Sequence, residues 1–103
     1  MKPIQLRPLA ADDLVTGAHY YRDQGGPALA QRVFETALES LRSIERQPGL
    51  GSSRIGELCE MPTLRAWPVA GFPVRWFYLE RSDHVDVVRL LGDTQDVASI
   101  LGE

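Results

Sequence analysis

Residues 64–91 carry three apolar, aromatic-rich runs that decide the fold class. They read Leu64-Arg65-Ala66-Trp67, then Val74-Arg75-Trp76-Phe77-Tyr78-Leu79, then Val85-Asp86-Val87-Val88-Arg89-Leu90-Leu91. β-Branched and aromatic residues suit a pleated surface, and turn signals separate the runs. Pro68 to Pro73 form a connection with Gly71 at its tip, and Arg81-Ser82-Asp83-His84 form a hairpin turn. Three consecutive strands on short links predict an antiparallel meander.

Upstream the periodicity is helical. Leu29, Val33, Ala37, Leu41 and Ile44 fall on one stripe, widened by Ala30, Phe34 and Leu38. Gln31, Arg32, Glu35, Glu39, Arg42 and Glu45 occupy the opposite, solvated face. An earlier helix is predicted from Leu14, Ala18 and Tyr21, with Asp12 and Asp13 at its start, where carboxylates favour the helix dipole. Gln24-Gly25-Gly26-Pro27 ends one helix and begins the next. Lys2 to Arg7 alternates like a short edge strand, with Pro3 at its start. Gln47-Pro48-Gly49-Leu50-Gly51-Ser52-Ser53 is a loop, and residues 54–62 have room for one helical turn. Asp93 or Thr94 is the expected cap of a short terminal helix bearing Val97, Ile100 and Leu101. The expected architecture is α+β: an N-terminal strand and αα-hairpin packed on an antiparallel β-sheet, with a short C-terminal helix.

Composition bounds the rest. The 103 residues, 44% hydrophobic and 24% charged, suit a single domain over residues 1–103. No apolar run approaches the ~20 residues that span a bilayer, and Met1-Lys2-Pro3-Ile4 leads into charge rather than a signal-peptide core. Cys59 is the sole cysteine, so no internal disulfide is expected and a soluble, cytoplasmic domain is. The net charge is −3; residues 1–53 balance six basic against six acidic side chains, and residues 54–103 carry five against eight. Direct nucleic-acid binding, which needs cations against phosphates, is therefore not expected.

In order and spacing, these motifs resemble the ParE toxins of the RelE/ParE superfamily, from bacterial type II toxin–antitoxin modules. The likeness runs through Ala11, Asp13-Leu14 and Tyr20-Tyr21, then Ala28, Ala30 and Phe34. It continues in Gln47-Pro48-Gly49-Leu50-Gly51, similar to the family's Pro-x-x-Gly segment, and in Leu64-Arg65-Ala66-Trp67-Pro68. Phe72-Pro73-Val74-Arg75-Trp76-Phe77-Tyr78 and Val87-Val88-Arg89-Leu90-Leu91 resemble the strands that follow, and Asp96 stands near the family's terminal Asp. The resemblance implies a toxin neutralised by a ParD-type antitoxin and acting on DNA gyrase by protein–protein contact rather than by cutting RNA. Family members usually carry His and Arg just after the last strand. Here Gly92-Asp93-Thr94-Gln95-Asp96 follows, with no Arg, Lys, His or Tyr from Gly92 onward. Two alternatives stand beside that reading: a RelE-like ribosome-dependent mRNA interferase, which needs such residues and is disfavoured by their absence, and an inactive member that keeps only antitoxin binding, which the departure favours.

No catalytic residue is expected. In RelE-like nucleases strand arginines serve the phosphate, and Arg75 matches that position, with Arg65 and Arg89 on neighbouring strands. Their C-terminal Arg and Tyr have no counterpart here. As solvated strand charges, the three arginines would pair with Glu80 or Asp86 or stack on Trp67 and Trp76. As partner-binding residues, they would donate forked hydrogen bonds to antitoxin carboxylates. Whichever of Trp67 and Trp76 is exposed is the candidate anchor, because aromatics dominate interface hot spots. Val97, Ile100 and Leu101 either dock a partner or close the core. Cys59 has no catalytic spacing to His19 or His84, and two His with one Cys far apart make a poor zinc site, so neither metal nor cofactor is expected. Gly25-Gly26-Pro27 follows no strand and cradles no phosphate.

Overall fold

The computed structural model describes residues 1–101. In chain order the elements are β1 (Ile4–Leu6), α1 (Pro8–Gly25), α2 (Pro27–Arg46), a 3-10 turn (Pro48–Leu50), α3 (Arg54–Leu58), β2 (Leu64–Pro68), β3 (Val74–Glu80), β4 (Val85–Gly92) and α4 (Val97–Leu101). The sheet order is β1-β4-β3-β2.

Helix α1 begins four residues earlier than the Asp12-Asp13 pair suggests. Pro8 occupies its first turn, where the ring's fixed φ is already helical and the missing N–H costs nothing. Gly26, at φ +89°, separates the helices; its N–H returns to the carbonyl of Arg22 at 2.7 Å, and Pro27 opens α2. Only glycine takes that φ without strain. The expected stripe of α2 is buried at Val33, Ala37, Leu41 and Ile44, joined by Ser40, whose hydroxyl donates to the carbonyl of Thr36 at 2.9 Å. Burying Ile44 completely contributes about 1.5–3 kcal/mol.

β2, β3 and β4 form the expected antiparallel meander. The sheet as a whole is mixed, because β1 lies parallel to β4, with Ile4 opposite Val85 and Leu6 opposite Val87. No tight turn ties β1 to its neighbour; the chain leaves it into α1, so turn geometry does not impose an antiparallel orientation. The register of β3 and β4 shifts between Phe77, opposite Arg89, and Tyr78, opposite Val87, so Val88 is the extra residue of a bulge. The bulge resets the alternation of β4. Val85, Val87 and Leu90 face the helical hairpin with Trp76 and Tyr78, whereas Leu91 joins Leu64, Ala66, Phe77 and Leu79 on the other sheet face.

That second face is covered as well, by half-buried Ile55, Met61, Val97, Ile100 and Leu101. β3 is therefore apolar on both sides, and Trp76, Phe77, Tyr78 and Leu79 are all buried. Two polar tips pin the layers together. Trp76 Nε1 donates to the carbonyl of Ala37 at 3.0 Å; Tyr78 donates its hydroxyl to Pro48 at 2.6 Å and accepts from the N–H of Gly51 at 2.9 Å. At the outer edge of β2, Ser52 exchanges both backbone hydrogen bonds with Ala66, at 2.9 and 3.0 Å.

The last helix is capped later than the sequence suggests. Asp96, not Asp93 or Thr94, accepts from the N–H of Ser99 at 3.2 Å, while the Gln95 side chain accepts from the N–H of Gly92 at 2.6 Å. Gln95 thereby holds the turn, which delays the helix by a few residues.

Candidate functional site

The three strand arginines do not converge. Arg65 donates to the carbonyls of Gly51 at 2.8 Å and Gly49 at 3.4 Å, holding the loop that Tyr78 also grips. Arg75 is exposed and lies 3.4 Å from a carboxylate oxygen of Asp93. Arg89 makes a two-pronged pair with Asp13 of α1, at 2.7 and 3.0 Å. They line three separate clefts: Arg65 beside Lys2 and Glu80, Arg75 beside Phe77 and Val97, Arg89 beside Leu9 and Leu101.

None of these arginines takes the carboxylate expected for it. Asp86 is held instead by Arg7, at 2.9 and 2.8 Å, and by Arg81 at 3.2 Å. The Arg7 hydrogen bonds are the main reason that its carboxyl titrates below the usual aspartate range, with Arg81 adding to them and partial burial opposing. Glu80 pairs with Lys2 at 2.9 Å. Sequence spacing hides these pairs, because Arg7 and Lys2 reach the sheet only through the parallel placement of β1.

Asp13 is the residue that the sequence reading misassigned. It lies in the second turn of α1, and its Oδ2 also accepts from the N–H of Leu90 at 3.0 Å. β1 ends at Leu6, so the outer edge of β4 beyond Val87 has no strand beside it. The carboxylate of Asp13 at Leu90 and the amide oxygen of Gln95 at Gly92 stand in for the missing backbone acceptors.

Of the two tryptophans, Trp76 is completely buried and offers no surface to a partner, which corrects its candidacy as an anchor. Trp67 is half-buried and packs against the core under the helical hairpin. Val97, Ile100 and Leu101 are each half-buried against the second sheet face, so they close that core while keeping part of their surface exposed.

A concavity larger than any of the three arginine clefts lies elsewhere. A cleft of about 470 Å³ separates Thr16, Tyr20 and Tyr21 of α1 from Val74, Leu90 and Gln95 at the β3–β4 end. Tyr20 is 58% exposed. It meets Tyr21 edge to face at 5.1 Å between centroids, and Tyr21 meets Phe72 likewise at 5.2 Å. Partial burial, then the neighbouring Tyr20, push the Tyr21 hydroxyl above the ordinary tyrosine range, so it is neutral near pH 7. Adjacent tyrosines late in a helix were the available sequence signal; that one is exposed and the other half-buried against Phe72, and that the far sheet end faces them, was not visible in the sequence. Among the described residues no group of three or more His, Cys, Asp or Glu is placed to hold a metal ion. No helix among them is long and apolar enough to cross a membrane.

Residues 4–97 match the family described as the ParE toxin of the type II toxin–antitoxin system parDE. No curated protein matches the sequence significantly. Among solved structures, a chain of the "Chromosomal ParDE TA system from P. aeruginosa" is similar to this one with a TM-score of 0.76 at 18% identity, over 89% of this chain and 96% of that one. At that identity the likeness bears on the fold, whose strand, helical hairpin, sheet and terminal helix agree with the α+β expectation.

Proposed function

Starting from the fact that the chain belongs to the ParE toxin family of type II toxin–antitoxin systems, we propose that a ParD-type antitoxin neutralises it by tight binding and that the free toxin inhibits DNA gyrase through protein–protein contact. The observation that carries this reading is the dispersal of the cations. Arg65, Arg75 and Arg89 line three different clefts and are committed respectively to loop carbonyls, Asp93 and Asp13. Cleaving RNA asks for a base, an acid and cations around one phosphate. A scaffold whose arginines point to three separate surfaces suits contact with another polypeptide better. Of the residues named from the sequence, Arg65, Trp67, Arg75, Arg89, Val97, Ile100 and Leu101 stay in this proposal as partner-binding positions, each retaining at least partial exposure.

The test has two arms. Purified chain is added to gyrase supercoiling reactions and, separately, to ribosomes translating a defined message. Loss of supercoiling with intact message, reversed by the antitoxin encoded beside the toxin, is the expected result. Cleavage of ribosome-bound message, abolished by Arg75→Ala, would overturn it. A specific observation favours a second reading, an inactive member that keeps antitoxin binding. The stretch after β4 carries no cation, and Asp93, Gln95 and Asp96 are engaged in local pairing and capping. Normal growth on induction without antitoxin, with a stable antitoxin complex, is the outcome that selects it.

A further inference from the structure

We infer that the cleft between α1 and the β3–β4 end receives a basic side chain, an arginine or lysine, from the antitoxin segment that covers it. The assignment rests on the antitoxin reading above and names the chemistry of the docking segment.

Three features of the cleft select a cation. Its walls are aromatic and apolar: Tyr20 and Tyr21 on one side, Val74 and Leu90 on the other. A guanidinium or ammonium is attracted to the face of a tyrosine ring, and its aliphatic stem packs on apolar surface. Among the described residues lining the cleft, Asp13 alone is charged. Its carboxylate takes two hydrogen bonds from Arg89 and one from Leu90, while two carboxylate oxygens offer about four acceptor sites, so one remains.

The charge left unpaired near the cleft has one sign. Asp93 is answered by Arg75, Asp23 by Arg22 and Asp13 by Arg89, whereas Asp12 and Asp96 make no salt bridge among the described residues. Asp12 stands one helical turn before Thr16 on the same flank of α1, and Asp96 follows Gln95 of the cleft wall. A carboxylate brought here would meet Asp12 and Asp96 as like charges, while Arg22, Arg75 and Arg89 each already face a carboxylate. An uncharged apolar side chain would fill the walls but leave the rim unanswered. The volume, about 470 Å³, holds one long side chain together with the backbone on either side of it.

Binding is tested directly with two blocked tripeptides, acetyl-Leu-Arg-Leu-amide and acetyl-Leu-Glu-Leu-amide, titrated into the ¹⁵N-labelled chain. The arginine peptide is expected to shift the amide signals of Thr16, Tyr20, Gly92 and Gln95, and the glutamate peptide to leave them in place. Tyr20→Ala is expected to weaken the arginine peptide roughly two- to fivefold through loss of the ring face. Tyr20 is exposed, so its removal leaves the core intact. The double variant Asp12→Asn/Asp96→Asn keeps an amide oxygen for the α4 cap and should weaken it by about threefold, the difference vanishing at high salt. Equal response to both peptides, or no response at those four amides, overturns the assignment. In the toxin–antitoxin complex the same double variant should raise the dissociation constant with a shallower salt dependence. Wild-type complex formation with an unchanged dissociation constant in the double variant sinks the cleft assignment alone. Failure of the wild-type chain to bind antitoxin at all sinks the reading beneath it.

Discussion

Replacing Asp13 by Ala should be among the most damaging single changes outside the apolar core. The substitution removes two charge-assisted hydrogen bonds to Arg89, at 2.7 and 3.0 Å, and the acceptor for the N–H of Leu90 at 3.0 Å. The side chains of Asp13 and Arg89 retain 17% and 22% of their exposure, so a freed Arg89 still reaches water. The ion pair itself is therefore worth about 1 kcal/mol rather than the several lost when a fully buried pair is broken. Leu90 is only 8% exposed, and leaving its amide without an acceptor costs about 1–3 kcal/mol. Together the loss is about 3 kcal/mol, which in a domain of this size lowers Tm by roughly 10–25 °C. Urea unfolding followed by the fluorescence of buried Trp76 measures it. Asp13→Asn keeps an oxygen for Leu90 and should cost about half as much. A cycle with Arg89→Met should show coupling of about 1 kcal/mol. If Asp13→Ala unfolds within about 0.5 kcal/mol of wild type, the edge of β4 does not depend on a carboxylate stand-in and the reasoning is wrong.

Tyr78→Phe deletes the hydroxyl that joins Gly51 and Pro48, orphaning a buried N–H, and should destabilise by about 1–3 kcal/mol in the same urea assay. Burial raises the Tyr78 pKa above its unfolded value, so its contribution is intact below about pH 10 and disappears as pH climbs through the folded value; the Phe variant should lose that alkaline dependence. Asp86 behaves oppositely: its folded pKa is depressed, chiefly by Arg7, so its stabilisation is present above about pH 4 and lost on acidification through the folded value. Stability measured from pH 6 to 2 should therefore fall less steeply in Asp86→Asn than in wild type. Gly56→Ala would drive a methyl group into the carbonyls of Met61 and Leu64, rigid backbone that cannot yield cheaply; a loss of about 1–3 kcal/mol, or failure to accumulate as folded protein, is expected in thermal unfolding.

The elements that were legible in the sequence are those whose pattern is local. The α2 stripe from Val33 to Ile44, the Gly26–Pro27 punctuation and the three apolar strands each rest on residues a few positions apart, where periodicity reports burial directly. What stayed hidden is long-range. The parallel pairing of β1, the bulge at Val88 and the pairing of Asp13 with Arg89 join residues that no spacing rule connects. The bulge matters most, since it reverses which of Arg89 and Leu90 faces the helices. For the candidate site, the arginines were identifiable as residues but their partners were not, because Asp13 looked like a helix-start charge. Residue type made either tryptophan an anchor only if exposed; the central position of β3, covered on both faces, is what keeps Trp76 from the surface.

The hydrogen-bonded contact of Ser52 with Ala66 bears on how the chain survives at high concentration. An open strand end invites a neighbouring copy to stack on it and start a fibril. Here the middle of β2 already spends its donor and acceptor inside its own molecule, and Pro68 brings no donor to the end of the strand. A second copy approaching that flank therefore finds the pairing groups of Ala66 already taken.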